Sequence, residues 1–150
     1  MSDKAPDPLK TTLNLDAAQA LFEGQIQGLV VTLYQNERPP AGLAGILDWY
    51  FQGALSHYLR TGAVTGKPGE CTYFPFSKHG TTHHIILTGA GQSPFSGKRT
   101  GVHPETLQAL HKNLISLKLS KIGISKSDFG EVNSDFFTKH LKGVPLWITH

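Results

Sequence analysis

A loop rich in glycine and serine, with two basic residues, is the stretch of this sequence most suited to binding a ligand. It follows an apolar segment, residues 84–88, that has the composition of a strand. Glycine amides at the end of a strand can donate hydrogen bonds to an anion, and hydroxyl and cationic side chains can assist them. We therefore predict an anion or nucleotide site in loop 89–101, with a hydrated surface turn as the alternative interpretation. The candidate ligand-binding residues are Gly89, Gly91, Ser93, Ser96, Lys98 and Arg99.

Two glycine patterns are similar to known phosphate-binding loops but lack required residues. A Walker loop has four residues between its glycines, followed by lysine and a hydroxyl residue. Residues 62–68 have three residues between the glycines and place Pro68 where the hydroxyl residue belongs. In loop 89–101, Pro94 replaces the third glycine of a dinucleotide-binding fingerprint, and no acidic residue ends a strand about 20 residues further on. The sequence therefore predicts neither a Walker loop nor a Rossmann site.

No set of residues predicts a metal centre or a covalent catalyst. The densest histidine group includes His83 and His84, whose side chains would point to opposite faces of a strand. Cys71 follows an acidic residue at the start of a strand, a position typical of a small core residue rather than a nucleophile. Asp48 lies in an apolar helix, where a buried carboxylate needs a partner, so we expect it to face solvent, an arginine or a backbone amide. We therefore predict no catalytic residue, no metal ligand and no cofactor.

Length, composition and cysteine content exclude several classes of protein. The chain has 150 residues, of which 39% are hydrophobic, enough for one domain with a real core. No apolar stretch reaches the roughly 18 residues that cross a bilayer, and the first residues lack the apolar run of a secretion signal. The single cysteine, Cys71, excludes an internal disulfide and favours a cytoplasmic location.

The charge distribution is uneven but gives little support for nucleic-acid binding. The formal net charge is +3, and residues 67–150 carry ten of the 14 basic residues and five of the 11 acidic ones. The lysines of this part are scattered along the chain, which is typical of solvated helix faces. Because no nucleic-acid-binding motif accompanies them, we do not expect nucleic acid as a partner.

Hydrophobic periodicity predicts alternating strands and helices over residues 11–150, preceded by a flexible tail of residues 1–10. The run 26–34 is rich in Val, Leu and Ile and too short for a typical helix, which indicates a strand buried on both faces. The predicted strands are 13–15, 26–34, 72–76, 84–88, 122–124 and 146–149. The predicted helices run from an Asp16 cap to Gly24, over 42–60, over 104–117 and from a Ser134 cap to about residue 143. This alternation predicts an α/β protein, a three-layer α/β/α sandwich with a mixed, mostly parallel sheet of about six strands.

Three consecutive aromatic residues lie in the predicted helix 42–60. Trp49, Tyr50 and Phe51 together cover most of the circumference of a helix, so they must pack against two different surfaces. One of these surfaces is the core, and we expect the other to be a protein partner or a second copy of the chain.

One long segment carries a resemblance to a known family. It runs from Arg38-Pro-Pro-Ala-Gly-Leu-Ala-Gly-Ile-Leu-Asp48-Trp49 to Gly62-Ala-Val-Thr-Gly-Lys-Pro-Gly-Glu70. The segment resembles the N-terminal domain of the cytosol (leucyl) aminopeptidase family, in which a helix with a comparable Asp-Trp pair precedes a loop of the Thr-Gly-x-x-Gly-Glu kind. Residues 85–91 are similar as well, so the resemblance covers roughly residues 26–125. It implies a macro-domain-like fold.

The resemblance implies a module without the catalytic machinery of that family. The family's catalytic metals and their ligands belong to a separate C-terminal domain, so no catalytic residue is carried over and peptide hydrolysis is not expected. We therefore expect a non-catalytic module that acts through protein contacts, either by self-association or by docking to another protein such as a peptidase. The alternative is a nucleotide or ADP-ribose site at loop 89–101, because macro-like folds often carry one. Residual hydrolysis assisted by His83, His84 and Cys71 is a third hypothesis.

Overall fold

A six-stranded β-sheet lies at the centre of the structure, a computed structural model that describes residues 9–93, 102–130 and 132–150. The strands are β1 (Lys10–Thr12), β2 (Gly28–Tyr34), β3 (Cys71–Lys78), β4 (Thr81–Gly91), β5 (Ile122–Ser125) and β6 (Leu146–Thr149). Their order in the sheet is β1-β6-β5-β2-β4-β3, and every neighbouring pair is parallel except β3 and β4. The predicted mixed, mostly parallel sheet of about six strands is therefore confirmed.

Helices cover both faces of this sheet. They are α1 (Ala17–Phe22), α2 (Gly42–Tyr50), α3 (Ala54–Thr61), α4 (Pro104–Leu117), a 3₁₀ helix (Ser127–Phe129) and α5 (Ser134–His140). The buried side chains of β2 alternate between two cores: Leu29 and Val31 pack with α1, α2 and α3, whereas Val30 packs with α4, α5 and the 3₁₀ helix. The three-layer α/β/α sandwich is thus confirmed. Within the described ranges, no helix has the length and apolar character needed to cross a membrane.

Several predicted helix ends are confirmed by their hydrogen bonds and backbone angles. The Asp16 carboxylate caps α1 by accepting a hydrogen bond of 2.8 Å from the N–H of Gln19. Gly62 ends α3 with a φ of 80°, a left-handed conformation that glycine adopts without steric cost. Pro104 is the first residue of α4, where its missing N–H is not needed.

The predicted single helix over 42–60 is wrong, because the chain forms two helices there. Gln52 and Gly53 interrupt it with φ angles of 57° and 84°. The Asp48 carboxylate then accepts hydrogen bonds from the N–H of Ser56 (2.8 Å) and from the Ser56 hydroxyl (2.5 Å), which caps α3 from the preceding helix. One of the three surroundings expected for Asp48, a backbone amide, is therefore confirmed. The Ser56 hydroxyl is a further partner that was not expected.

Two element boundaries also differ from the predictions. Lys10, which we assigned to a flexible tail, is the first residue of β1, and β1 ends before the predicted strand 13–15. The ammonium group of Lys10 donates to the carbonyl oxygens of Leu141 (2.8 Å) and Val144 (2.7 Å), which holds this edge strand beside β6. Helix α5 is capped by Asn133 rather than Ser134, because the Asn133 side chain accepts a hydrogen bond from the Phe136 N–H. Residues 1–8 lie outside the described ranges.

Candidate functional site

In the described part of loop 89–101, residues 89–93, backbone N–H groups donate hydrogen bonds to other parts of the protein. The N–H of Gly89 donates to the Glu70 carbonyl at 2.8 Å, and the N–H of Gly91 donates to the Gly66 carbonyl at 2.8 Å. The N–H of Ser93 donates to the Asn36 side chain at 2.7 Å. In the structure, the amide hydrogens of Gly89 and Gly91 are therefore donated to carbonyl oxygens of the protein itself. The other predicted residues of this loop, Ser96, Lys98 and Arg99, lie outside the described ranges.

These glycines are needed because another loop crosses the end of β4. A Cβ atom built on Gly89 would lie 1.8 Å from the carbonyl oxygen of Lys67, closer than any real side chain approaches. The crossing segment, residues 62–70, is itself closed by the Glu70 carboxylate, which accepts hydrogen bonds from the N–H groups of Thr65 (2.9 Å) and Gly66 (2.8 Å). The Glu70 carboxylate thus accepts hydrogen bonds from N–H groups that a phosphate-binding loop would donate to a phosphate.

A cavity of about 750 Å³ opens instead at the carboxyl ends of β5 and β6. We name it the strand-end cavity. Its lining includes the first turns of α1 and α2 together with Ser125, Ser127 and His150, which end or follow the two strands. In open α/β sheets, ligands bind in the crevice outside the carboxyl ends of parallel strands. The volume is also within the usual range of small-molecule sites, roughly 300–1,000 Å³.

The walls of the strand-end cavity combine apolar side chains with a carboxylate. Phe22, Leu43 and Ile46 are part of its lining, and Ile46 is 48% exposed. The exposed carboxylate of Asp16 also lines it; its Oδ1 atom caps α1, whereas Oδ2 has no hydrogen bond with the described residues. A flat apolar group with an amine or hydroxyl donor at its edge would match this part of the cavity.

The first turn of α2 offers hydrogen-bond donors in the same cavity. Its N-cap residue is Ala41, so no side chain caps the helix. The first N–H groups of a helix have no intrahelical partner and lie at the positive end of the helix dipole. Gly42, whose φ is 61°, and Leu43 belong to this turn and line the cavity. Together with the exposed hydroxyl group of Ser127, they can bind an anion. The hydroxyl group of Ser125 is buried and donates its hydrogen to the His150 carbonyl at 2.5 Å, so it positions this edge rather than binding a ligand.

A buried carboxylate fixes the loop that carries Ser127. The Asp128 carboxylate accepts a hydrogen bond of 2.8 Å from the N–H of Thr32 in β2, and the Thr32 hydroxyl donates to the Asp128 carbonyl at 3.2 Å. Asp128 is only 3% exposed, and its own N–H donates to the Ser125 hydroxyl at 3.3 Å. The loop after β5 is therefore attached to the central strand of the sheet, which gives Ser127 a defined position.

Sequence reasoning missed most of the residues of the strand-end cavity. Asp16 was recognised as a helix cap, but Gly42, Ser125 and Ser127 were not proposed as functional. The signal was present, because the run Ser125-Lys-Ser-Asp128 directly follows a predicted strand. In a parallel sheet, polar residues at that position reach the ligand-binding edge.

The two neighbouring histidines lie on opposite faces of β4, as predicted. His83 is buried beside the rings of Tyr50 (6.0 Å) and Phe51 (5.7 Å), whereas His84 Nδ1 lies 2.6 Å from the Tyr73 hydroxyl. Burial, followed by the charges of His84 and Lys78, lowers the pKa of His83. Within the part of the chain that the structure describes, no three His, Cys, Asp or Glu side chains come together in a way that could hold a metal ion.

Cys71 has the properties of a core residue. It packs against the core formed by α4, α5 and the 3₁₀ helix. Burial raises the pKa of its thiol to about 12, so almost none of it is thiolate at neutral pH. A nucleophilic role for Cys71 is therefore disfavoured by its surroundings.

The three consecutive aromatic residues separate onto different surfaces, as expected. Tyr50 stacks on Phe22 at 4.0 Å and Phe51 stacks on Phe76 at 4.7 Å, so both contribute to the body of the protein. Trp49 is 81% exposed and lies one turn after Ile46, which lines the strand-end cavity.

Comparison with solved structures identifies proteins of the same architecture. The macrodomain of Thermus aquaticus DarG superimposes with a TM-score of 0.64 at 15% sequence identity, covering 94% of this chain and 97% of the other. Tomato leucine aminopeptidase gives a TM-score of 0.63 at 15% identity, covering all of this chain but 34% of the enzyme. Thermosipho africanus DarTG, solved in complex with ADP-ribose, gives 0.59 at 10% identity over 86% of this chain and 39% of the other.

Sequence comparison adds no relative to these structures. No protein-family model matches the chain, and no curated protein sequence matches it either. The structural matches cover the whole sandwich and agree with the resemblance to the aminopeptidase N-terminal domain. This chain therefore has the macrodomain fold, which it shares with the N-terminal region of leucine aminopeptidase.

Proposed function

We propose that this protein binds ADP-ribose, or a nucleotide of closely similar build, in the strand-end cavity. The proposal rests on the strand-end cavity, which has a volume of about 750 Å³ and lies at the carboxyl ends of β5 and β6. Its lining includes the first turn of α2, which has no side-chain cap. The complex of Thermosipho africanus DarTG with ADP-ribose, a protein with the same fold, supports this choice of ligand class.

The chemistry of the lining matches the parts of ADP-ribose. We assign the adenine base to the apolar walls formed by Phe22, Leu43 and Ile46, with its amino group donating to the Asp16 carboxylate. We assign the diphosphate to the first turn of α2 and to the hydroxyl group of Ser127, because helix N-termini and hydroxyl donors bind phosphate oxygens without a cationic side chain. Asp16 and Glu23 repel phosphate, so the diphosphate must lie away from both carboxylates.

Loop 89–101 keeps its predicted role in ligand binding as part of this proposal. The Asn36 side chain exchanges two hydrogen bonds with the backbone of Ser93, at 3.1 and 2.7 Å, which ties the loop after β2 to the loop after β4. Both loops therefore begin at the carboxyl edge of the sheet, the edge on which the cavity lies. From there we expect Ser96, Lys98 and Arg99 to assist in binding the diphosphate.

Isothermal titration calorimetry tests the proposal directly. We expect saturable binding of ADP-ribose with a dissociation constant of roughly 1–100 μM. AMP and ribose 5-phosphate, each of which lacks half of the contacts, should bind about tenfold or more weakly. The absence of heat with millimolar ADP-ribose would contradict the proposal. An affinity for inorganic pyrophosphate equal to that for ADP-ribose would show that the site binds anions in general and does not recognise the nucleoside.

Self-association through α2 is a second candidate function, favoured by the exposure of Trp49. An indole that is 81% exposed and is followed by two anchored aromatic residues is typical of a contact surface, and we take a second copy of the chain as the partner. Analytical ultracentrifugation should then show dimers at about 100 μM protein, and Trp49→Ala should restore the monomer while leaving ADP-ribose affinity unchanged. A monomer at every accessible concentration contradicts this candidate.

A further inference from the structure

We propose a second binding site, for an amphipathic organic anion, in a groove on the opposite edge of the sheet from the strand-end cavity. The groove has a volume of about 580 Å³. It lies between the C-terminal end of α4 and the segments that lead into β5 and β6, including Ser120 and Pro145. We name it the α4–β6 groove. The proposal does not rest on ADP-ribose binding, because the two sites share no residue.

The floor of the α4–β6 groove is apolar. Leu114 and Val144 are buried there as part of the core, and Trp147 presents a half-buried indole. Ile115 is 51% exposed at the same place, although most of the large apolar side chains among the described residues are covered. An apolar surface of this kind gains free energy when a ligand with a hydrocarbon or aromatic body removes it from water.

The charges around the groove are all positive. Of the described residues in its lining, the charged ones are Lys118 and Lys121, and none carries a carboxylate. The ammonium group of Lys121 lies 6.0 Å from the centre of the Trp147 ring, which places its charge over the apolar floor. An apolar floor with two ammonium groups is complementary to a ligand that has an apolar body and one anionic head, such as an alkyl or aryl carboxylate.

The backbone at both lysines is strained in a way that glycine would relieve. Lys118 and Lys121 have φ angles of 51° and 52°, in the left-handed region that disfavours a residue with a Cβ atom. Ten of the 14 described residues with positive φ are glycines, and two of the four exceptions lie in this groove. The charge of Lys118 has a structural explanation, because a cation is favourable at the negative C-terminal end of α4. Lys121 directly precedes β5, so a helix dipole does not explain its charge. Backbone strain at two positions of the same groove supports a function there.

Two amphipathic anions, 8-anilinonaphthalene-1-sulfonate and decanoate, serve as probes of the full chain. We expect saturable enhancement of the sulfonate's fluorescence, and displacement by decanoate at about tenfold lower concentration than by decanol, which lacks the charge. Lys118→Gly and Lys121→Gly should each weaken decanoate binding about fivefold while leaving the melting temperature unchanged or higher, because glycine relieves the backbone strain. The matched control Lys112→Gln, at an exposed position of α4 outside the groove, should leave binding unchanged.

Three results would overturn the proposal. Decanol that displaces the probe as well as decanoate would show an apolar surface without selection for an anion. Lysine variants that bind decanoate normally would show that the two cations serve only the fold. Loss of probe binding in Ser127→Phe, a variant that fills the other cavity, would place the probe in the strand-end cavity. Unchanged probe binding in Ser127→Phe supports the α4–β6 groove as the site.

Discussion

Replacement of Gly89 by alanine should destabilise this protein by more than about 4 kcal/mol, a large share of the stability of a typical domain. The added Cβ atom would lie 1.8 Å from the Lys67 carbonyl oxygen and 2.9 Å from the Gly66 carbonyl carbon, both of which are backbone atoms. Neither side can move easily, because β4 pairs with β2 on one side and with β3 on the other. The crossing loop is held in turn by hydrogen bonds to the Glu70 carboxylate.

A matched control separates this clash from the general cost of alanine at a glycine position. A Cβ atom on Gly62 would have no neighbour within 4 Å. Gly62→Ala should therefore lower the free energy of unfolding only through its left-handed φ of 80°, by about 1–2 kcal/mol. Urea unfolding followed by circular dichroism measures both variants. Similar losses of stability in the two variants would show that the loop does not cross β4 as closely as described.

Replacement of Ser127 by phenylalanine should abolish ADP-ribose binding, with a loss of affinity of about a hundredfold or more. Ser127 is exposed and lines the strand-end cavity, so a phenyl ring at this position occupies the space assigned to the diphosphate. The hydroxyl group is lost as well, but that alone should cost only about 1 kcal/mol, roughly a fivefold effect that Ser127→Ala measures separately. Because the side chain is exposed, the fold should tolerate the larger residue.

The control for this variant is Ser116→Phe, which places the same ring on an exposed position of α4 outside the strand-end cavity. Calorimetry should give wild-type affinity for this control, and thermal melting should show both phenylalanine variants folded. If Ser127→Phe retained full affinity for ADP-ribose, the ligand would have to bind elsewhere, with loop 89–101 as the first place to look.

The layers of this fold could be predicted from the sequence because the signals are local. The run of buried residues in β2, the Asp16 cap of α1 and Pro104 at the start of α4 each involve positions within a few residues of one another. The division of helix 42–60 was missed for the opposite reason. Gly53 is tolerated inside a helical pattern, and the cap that begins α3 comes from Asp48, a residue of the preceding helix.

Most strands, helices and buried positions could be predicted from the sequence, since hydrophobic periodicity and capping act between near neighbours. Which polar groups meet at the edge of the sheet depends on contacts between residues that lie far apart in the chain. The amide hydrogens of Gly89 and Gly91 are donated to carbonyl oxygens of the loop that crosses the end of β4. Asp128 positions Ser127 through Thr32, a residue 96 positions away. Such contacts leave no periodic pattern in the sequence, because they arise only when the parallel strands bring their carboxyl ends together.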